Sequence, residues 1–290
     1  MQKVIEKAEV LIEALPYIQK FRGETVVVKF GGSAMEEKSL VDAVLKDVAF
    51  MECVGLRPVV VHGGGKAISR KLKDAGIKPA FLNGLRVTDD ATIGIVEHVL
   101  NEEVNPQLVQ TLEEYGCKSR GIHGEHIITA RKHTAADPKT GDTLDWGHVG
   151  EVTAVDIEPI NAYLQAQIAP VITPLGKGED GTLYNINADE AAASIAEKLG
   201  ARKLVFLSDV PGVLMSADDP ESIVSTLDLE EIEKLIGRGV IAGGMLPKIS
   251  GAVKALKAGV RKTHIIDSSM PHSLLLELFT DKGVGTEIIR

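Results

Sequence analysis

Hydrophobic residues from position 25 onwards alternate between two patterns. Short continuous apolar runs predict strands that are buried on both faces. These runs lie at Val26–Phe30, Pro58–His62, Ala169–Thr173, Leu204–Leu207 and His264–Ile266. Between them, apolar residues recur at helical spacing, which predicts helices at Ser39–Cys53, Ala67–Ala75, Asp90–Tyr115, Ala188–Leu199 and Leu229–Ile236. Buried strands separated by helices predict an α/β fold with a largely parallel sheet.

Two segments interrupt this alternation. Residues 119–155 are rich in Gly, His, Thr and Asp and contain short alternating β patterns, which predicts an antiparallel hairpin region or lid attached to the sheet. The stretch GKGEDGTLYN at 176–185 is polar and rich in turn residues. We place a boundary there, between an N-terminal lobe at 23–180 and a C-terminal lobe at 181–290.

The first 22 residues are predicted to form a separate amphipathic helix. Pro16 should end or kink this helix. Its apolar stripe either packs on its own domain or is covered by a partner chain, and the sequence leaves both open. Glu6, Glu9 and Glu13 lie opposite the stripe. The stripe consists of Val4, Ile5, Ala8, Leu11, Ile12 and Leu15.

Composition excludes several classes of protein. A net charge of −9 over 290 residues argues against a nucleic-acid binder, because phosphate contacts need clustered Lys and Arg. Cys53 and Cys117 make no disulfide framework and fit small hydrophobic residues in a reducing compartment. The first 21 residues carry Lys or Glu every few positions, unlike a signal peptide, and no window offers the roughly 18 apolar residues of a membrane span. We therefore expect a cytoplasmic protein without nucleic-acid or membrane partners.

Two glycine-rich segments follow predicted strands. Lys29 ends the first strand and is followed by Gly31 and Gly32, whereas glycines 63–65 stand between the second strand and a helix. Neither segment matches the phosphate-binding patterns GxxxxGK[ST] or GxGxxG. Each loop alone is compatible with a tight strand–helix turn. Two such loops at the carboxyl ends of strands favour a ligand site whose backbone N–H groups bind an anion.

Lys248 and Asp189 are candidates for charge chemistry. Lys248 follows Gly243 and Gly244 at the start of a predicted helix, where the helix dipole disfavours a lysine by about 0.3–1 kcal/mol. Lys248 therefore either binds a ligand or is a solvated surface lysine. Asn187 or Asp189 is placed to cap the helix at 188–199, and Asp189 could instead orient two lysines.

These residues suit phosphoryl transfer, in which the protein mostly positions substrates and neutralises charge. No nucleophile–base pair such as GxSxG is present, and an acceptor that is already a carboxylate would need no base. His62 and His123 form no metal-ligand pattern, so we expect structural roles for them. Arg86, in NGLRVTDD, is either a surface arginine or a bidentate partner for a carboxylate.

Seven segments, running in order from about Thr25 to the C-terminus, resemble the acetylglutamate kinases of the amino-acid kinase superfamily. NGLRVT, GHVG and NADEAA are specific to that family, whereas KFGG and HGGG indicate only the superfamily. The segments are VVVKFGGSA, VVVHGGGKAIS, NGLRVTD, GHVGEV, NINADEAA, LSDVPGV and GGMLPK.

The resemblance implies ATP-dependent phosphorylation of the γ-carboxylate of N-acetyl-L-glutamate, the second step of arginine biosynthesis, with Mg²⁺ bridging the phosphates. It also implies a three-layer α/β/α sandwich around an open, mainly parallel eight-stranded sheet. In such a fold the N-terminal lobe binds the amino acid and the C-terminal lobe binds the nucleotide.

Catalytic roles follow from the same resemblance. Lys29 and Lys248 would neutralise the transferring phosphoryl group, Asp189 would hold both lysines, and the N–H groups of Gly32 and Gly64 would cradle the phosphoryl oxygens. The residues implied for the amino acid are Gly64, Gly65, Arg86, Asn185 and Asn187. Those implied for the nucleotide are Lys29, Gly31, Gly32, Ser208, Asp209 and Lys248, and no protein residue is implied as a metal ligand.

The N-terminal helix resembles that of an arginine-inhibited branch of the family. In that branch the helix interlaces dimers into a homo-hexamer, a trimer of dimers, and arginine binds beside it near a segment like HSLLLELFTDKGVGTEI. A PII-type signalling protein is a further partner that the sequence leaves open. The residues assigned to the arginine site are Tyr17, His272, Glu277 and Gly285.

Three alternatives compete with this interpretation. Aspartokinases usually carry C-terminal regulatory domains, whereas this sequence stops at GTEIIR. Glutamate 5-kinases are not expected to combine NGLRVT with GHVG. A catalytically silent sensor of arginine or nucleotide would be favoured by loss of Lys29, Lys248 or Asp189, and all three are present.

Overall fold

The computed structural model of the chain describes residues 2–136, 141–216, 218–280 and 283–290. The strands are β1 Thr25–Phe30, β2 Arg57–His62, β3 Phe81–Leu82, β4 Leu85–Arg86, β5 Ser119–Ile122, β6 Ile128–Lys132, β7 Ala135–Ala136, β8 Thr143–Leu144, β9 Val149–Val155, β10 Ala169–Ile172, β11 Leu175–Lys177, β12 Leu183–Ile186, β13 Lys203–Ser208, β14 Thr226–Leu227, β15 Lys262–Asp267 and β16 Thr286–Ile288. The α-helices are α1 Gln2–Phe21, α2 Lys38–Cys53, α3 Gly65–Asp74, α4 Asp90–His98, α5 Asn105–Glu114, α6 Glu158–Gln165, α7 Ala188–Leu199, α8 Leu229–Gly237, α9 Met245–Lys257 and α10 Ser273–Phe279. Short 3-10 helices lie at Ser33–Met35, Gly124–His126 and Pro220–Ser222.

A sheet of eight strands runs through the molecule in the order β14-β16-β15-β13-β1-β2-β10-β5. β1 lies in the middle and pairs in parallel with both β13 and β2. β10, β5 and β15 continue the parallel arrangement, and β16 pairs antiparallel with β15. The carboxyl ends of β1, β2, β10 and β13 therefore meet at one edge, and the predicted mainly parallel eight-stranded sheet is confirmed.

Successive residues of the central strands face two separate hydrophobic cores. Val26, Val28 and Phe30 of β1 pack with apolar residues of α2, α5 and α10. Val27 points the other way, into a core shared with α6, α7, α8 and α9. Full burial of each such side chain stabilises the fold by about 1.5–3 kcal/mol. Helices therefore cover both faces of the sheet, which confirms the three-layer α/β/α sandwich.

The predicted hairpin region at 119–155 divides between three sheets, one of which is the antiparallel pair of β7 and β8. β6 and β9 pair antiparallel and close with β11 and β12 into a small four-stranded barrel. β5 instead joins the main sheet in parallel with β10. The antiparallel prediction is therefore wrong for residues 119–122, because α5 carries the chain back to the sheet as a helical crossover does between parallel strands. Residues 137–140 lie outside the described part of the chain.

The helix predicted at 90–115 is present, with one irregularity. α4 continues through a π-helical segment, Val99–Val104, directly into α5. π segments within helices are rare and frequently accompany functional sites. Here the segment directs Leu100 towards Gly64 and leaves Asn105 beside His62 of β2.

α1 continues through Pro16 to Phe21. Of the two outcomes predicted for Pro16, an end or a kink of the helix, the end is therefore wrong. A proline within a helix costs about 3 kcal/mol, and the last turn is held by Phe21, whose ring is buried against the domain and lies under Lys203. Earlier in the helix, Leu11 and Ile12 are each 67% exposed. Among the α1 side chains whose exposure the structure describes, packing on the chain's own domain therefore accounts only for those in the last turns.

Candidate active site

The carboxyl ends of β1 and β2 bring the two glycine loops side by side. The Gly63 N–H donates to the Phe30 carbonyl at 2.7 Å, and a Cβ on Gly63 would lie 3.5 Å from the Gly31 Cα. Lys29 is 8% exposed, and its Nζ would lie 2.7 Å from a Cβ on Gly31. A side chain at position 31 would therefore displace the lysine from this junction.

Asp189 binds both candidate lysines through one carboxylate. Lys29 Nζ lies 3.0 Å from Asp189 Oδ1, and Lys248 Nζ lies 2.9 Å from Asp189 Oδ2. Burial alone would raise the pKa of Asp189, but Lys29 and Lys248 outweigh it and hold that pKa below its ordinary value. Two ammonium groups thus converge on one buried carboxylate, and the cluster keeps an excess positive charge that suits an anion.

The helix that carries Asp189 is capped by its neighbour. Asn187 Oδ1 accepts hydrogen bonds from the N–H groups of Asp189 and Glu190 at 2.9 and 3.2 Å. Such a cap stabilises a helix start by about 0.5–2 kcal/mol. Because Asn187 fills this role, the Asp189 carboxylate is available to the lysines.

Gly32 has φ +78°, a backbone conformation that favours glycine. A Cβ there would lie 2.3 Å from Asp209 Oδ1, and the same oxygen accepts hydrogen bonds from the N–H and Oγ of Ser33, each at 2.7 Å. Asp209 follows Ser208 at the end of β13. The structure therefore brings Asp209, one of the residues predicted for the nucleotide, to the Gly32 loop.

Gly64 and Gly65 form the start of α3, the second glycine loop. A Cβ on Gly64 would lie 2.6 Å from Leu100 Cδ2, so this position has no room for a side chain. The Gly65 carbonyl accepts a hydrogen bond from Arg86 Nη2 at 2.7 Å, and the same nitrogen donates to Ser69 Oγ at 2.9 Å. These hydrogen bonds hold both the Gly65 carbonyl and the Arg86 guanidinium in position.

Arg86 presents an unsatisfied donor inside the protein. Its side chain is 7% exposed, and its guanidinium carbon lies 4.7 Å from the centre of the Phe81 ring. Burial lowers the pKa of Arg86, yet a guanidinium stays charged in proteins. Its Nη1 is buried without a hydrogen-bond partner among the described residues, which costs about 1–3 kcal/mol. A ligand carboxylate would satisfy this donor.

One cavity of about 170 Å³ unites the residues predicted for the amino acid. Asn185 is held by its neighbour, since its Nδ2 donates to Thr88 Oγ1 at 3.2 Å. The cavity therefore places the glycine loop, a buried cation and two amide side chains within reach of one small polar ligand. Its lining includes Gly64, Gly65, Arg86, Val149, Asn185 and Asn187.

A second cavity, of about 580 Å³, lies against α1 and α10. Of the residues predicted for arginine, Tyr17 and Glu277 line it. His272 instead bonds Asp47 on α2, with 2.6 Å between Nδ1 and Oδ1. Gly285 packs on β15, since a Cβ there would lie 2.2 Å from the Ile265 carbonyl oxygen. The structure therefore does not bring His272 and Gly285 to this cavity.

Other charged and titratable residues also line the second cavity. His264 Nδ1 lies 2.5 Å from Glu277 Oε1, and both side chains are buried. Burial favours a higher pKa for Glu277, but the hydrogen bond from His264 and the Val284 N–H together lower it. Burial lowers the pKa of Lys203, which also lines the cavity, to about 8. The cavity thus presents both signs of charge.

Sequence reasoning missed Phe81, Lys203 and His264. A signal for Phe81 existed, because Asn-Gly between short apolar segments predicts a hairpin, and the β3–β4 hairpin pairs Phe81 with Arg86. Lys203 and His264 lie on neighbouring strands, β13 and β15, that are distant in sequence. No local pattern indicates that these two strands pair.

Across the described ranges, no group of three or more His, Cys, Asp or Glu side chains has an arrangement that could hold a metal ion. No helix among those residues has the length and apolar character needed to cross a bilayer.

The chain matches the model of the amino acid kinase family over residues 24–267. It is 49% identical over 290 residues to the acetylglutamate kinase of Carboxydothermus hydrogenoformans, a match that covers 99% of each chain. The similarity thus includes the N-terminal and C-terminal segments as well as the central sheet.

Solved structures of N-acetylglutamate synthase from Neisseria gonorrhoeae are also similar. The complex with coenzyme A and N-acetyl-glutamate superposes with a TM-score of 0.85 at 29% identity, covering 98% of this chain and 63% of the synthase chain. The complex with coenzyme A and L-arginine gives a TM-score of 0.80 at 28% identity, covering 97% and 65% respectively. This chain therefore spans somewhat less than two thirds of the synthase.

Proposed function

The chain belongs to the amino acid kinase family, and from that premise we propose that it transfers the γ-phosphoryl group of ATP to the γ-carboxylate of N-acetyl-L-glutamate. The relative that is 49% identical over the full length carries this activity in its name. The observation that carries the proposal is the Lys29–Asp189–Lys248 cluster at the glycine loops. A silent sensor would have no need of two lysines held on one buried carboxylate.

The substrate is held by its other carboxylate. In the proposed complex, the α-carboxylate binds Arg86 and satisfies the buried Nη1, while Asn185 and Asn187 line the same cavity. The γ-carboxylate then points towards Gly64 and the lysine cluster. Arg86 thereby selects a substrate with two carboxylates, because a single carboxylate cannot reach both the arginine and the reacting phosphorus.

The chemical step needs no general base. A γ-carboxylate oxygen of the amino acid forms a bond to the γ-phosphorus of ATP, and the bond from that phosphorus to the β,γ-bridging oxygen breaks to release ADP. The acceptor is already an anion, so no proton is removed. Lys29, Lys248 and the N–H groups of Gly32 and Gly64 stabilise the negative charge that spreads over the phosphoryl and bridging oxygens.

The nucleotide is assigned to the loops after β1 and β13. Ser208 ends β13 and Asp209 follows it beside Gly32, and Gly31 and Lys248 complete this side of the site. We assign the amino acid mainly to the lobe at 23–180 and the nucleotide to the lobe at 181–290. Asn185 and Asn187 then reach the amino acid from the start of the second lobe.

Mg²⁺ fits this site as a partner of the phosphates. Asp189 already binds two lysines, and the described residues offer no acidic cluster that would form a protein cage. Mg²⁺ is commonly held through substrate phosphates and water. When bound, it neutralises phosphate charge, whereas the lysines and glycine N–H groups act on the group in transfer.

Substrate comparison tests the proposed reaction. With ATP and Mg²⁺, acyl phosphate trapped as hydroxamate should form much faster from N-acetyl-L-glutamate than from glutamate or aspartate, because the cavity must accept the acylated amine. Omission of ATP is the blank, and N-acetyl-L-aspartate tests the reach between Arg86 and the lysines. Faster turnover of aspartate or free glutamate would contradict the assignment.

We also propose that arginine inhibits the enzyme from the second cavity. Glu277 and Glu287 offer carboxylates to a guanidinium, and Lys203 offers a cation to an α-carboxylate. Tyr17 brings α1 into the same cavity, which would link ligand binding to the N-terminal helix. The synthase of Neisseria gonorrhoeae, which is similar over 97% of this chain, binds L-arginine in one of its structures.

The exposed stripe of α1 is assigned to partner chains that complete a hexamer. Leu11 and Ile12 are each 67% exposed, and Ile5 and Leu15 are each 44% exposed, which favours burial against another copy. We expect deletion of residues 1–20, or the double change Leu11→Glu and Ile12→Glu, to reduce a hexamer to dimers and to weaken arginine inhibition. Mass by light scattering and the arginine concentration for half-inhibition measure the two effects.

The control is Glu13→Gln on the same helix, which changes an exposed polar position and should leave mass and inhibition unchanged. A double variant with the mass and arginine response of the wild type would show that the stripe does not hold the assembly.

A further inference from the structure

His62 is buried directly beside the second glycine loop. It ends β2, its side chain has no exposed surface, and it immediately precedes Gly63. Its Nδ1 lies 2.7 Å from the Gly63 carbonyl oxygen, and its Nε2 lies 3.1 Å from Asn105 Nδ2. Both ring nitrogens are thus engaged, one of them with the loop that carries Gly64.

Asn105 determines which ring nitrogen carries the proton. Its Nδ2 donates to the Val171 carbonyl at 2.9 Å. Because a carbonyl oxygen can only accept, the end of the Asn105 amide that faces Val171 must be the nitrogen. His62 Nε2 faces the same amide nitrogen and must therefore accept a hydrogen bond from it. The ring proton is therefore on Nδ1, which donates to the Gly63 carbonyl. Burial lowers the pKa of His62 to about 4, which keeps the ring neutral.

The Gly63 carbonyl and the Gly64 N–H belong to one peptide unit. In a planar trans peptide the two groups point in opposite directions. Because His62 holds the carbonyl on its own side, the N–H of Gly64 is directed away from His62. Among the described residues, no acceptor takes a hydrogen bond from that N–H, and Gly64 lines the candidate substrate cavity.

Neighbouring residues hold the Gly63 peptide units and Asn105 in place. The Gly63 N–H is bound to the Phe30 carbonyl at 2.7 Å, so the peptide units on both sides of Gly63 are restrained. Asn105 is 2% exposed and takes its place only because residue 121 is glycine, where a Cβ would lie 2.1 Å from Asn105 Oδ1.

We propose that His62, held by Asn105, is a positioning residue that aims the Gly64 N–H at the transferring phosphoryl group. This inference rests on the proposed kinase function. A preorganised donor acts most strongly where charge develops in the transition state. His62 does not touch the substrate and acts through the peptide unit between Gly63 and Gly64.

Two matched substitutions test the role. The amide nitrogen of His62→Asn lies near the position of Nδ1 and can still donate to the Gly63 carbonyl, whereas His62→Leu has similar size and no donor. Both remove the bond to Asn105. We expect His62→Leu to lower kcat about 10–100-fold with little change in KM for N-acetyl-L-glutamate, and His62→Asn to retain most of the kcat.

Thermal melting shows whether the two variants are folded and equally destabilised. Equal kcat in the two variants, both folded, would overturn the role of His62 as donor. A wild-type chain without kinase activity would instead overturn the proposed function on which the role depends.

A tautomer measurement tests the geometry without relying on activity. Nitrogen-15 NMR of the wild-type imidazole at neutral pH should show a neutral ring with its proton on Nδ1, and Asn105→Leu should remove this preference. A wild-type ring protonated on Nε2 would overturn the proposal, because Nδ1 could not then donate to the Gly63 carbonyl.

Discussion

The Lys29→Met variant should fold and lose about 10²–10³-fold in kcat, the range seen when one donor to developing charge is removed. Methionine is close to lysine in length and leaves Asp189 paired with Lys248, whose Nζ lies 2.9 Å away. The buried carboxylate therefore keeps a counter-charge, and only the cation facing the phosphoryl group is lost. We expect KM for N-acetyl-L-glutamate to change little, because Arg86 holds the α-carboxylate.

Steady-state kinetics and thermal melting together measure this effect. Lys73→Met is the matched control, since that lysine is exposed near the end of α3 and should be kinetically silent. Lys248→Met should resemble Lys29→Met because it removes the partner of the other carboxylate oxygen. Near-wild-type kcat in a folded Lys29→Met enzyme would refute the role assigned to this lysine.

Arg86→Lys should raise KM for N-acetyl-L-glutamate about 10–100-fold, which corresponds to loss of a charged hydrogen bond worth about 1.5–3 kcal/mol. Lysine keeps the charge but cannot present two donors in a fixed fork. The bonds from Arg86 to the Gly65 carbonyl and Ser69 Oγ also orient the guanidinium. KM for ATP should be nearly unchanged, since the nucleotide is assigned to the loops after β1 and β13.

The matched control for this change is Arg70→Lys. Arg70 is an exposed residue of the same α3 helix and pairs with Glu36, so its replacement should leave both KM values close to wild type. If Arg86→Lys affected KM for ATP as strongly as KM for the amino acid, the cavity beside Arg86 would not be the amino-acid site.

The sequence determined the architecture because its signals are local. Continuous apolar runs such as residues 26–30 are typical of strands with helices on both faces, so the α/β fold with a largely parallel sheet followed from the pattern, and the resemblance implied the three-layer sandwich. The lysine at the end of a buried strand, followed by glycines, also indicated a ligand site, because the carboxyl ends of parallel strands meet at one edge of the sheet. The resemblance then supplied the pairing of Lys29 and Lys248 with Asp189.

Tertiary structure decided which distant residues meet. His264 faces the second cavity and His272 bonds Asp47, because the register of β15 against β13, and the turn before α10, set their directions. Residues 119–122 joined the main sheet because α5 returns the chain to the edge of the sheet, where β5 pairs with β10. The tautomer of His62 depends on Asn105, 43 positions away. Each of these outcomes comes from pairing between segments far apart in sequence, and local composition carries no information about such pairing.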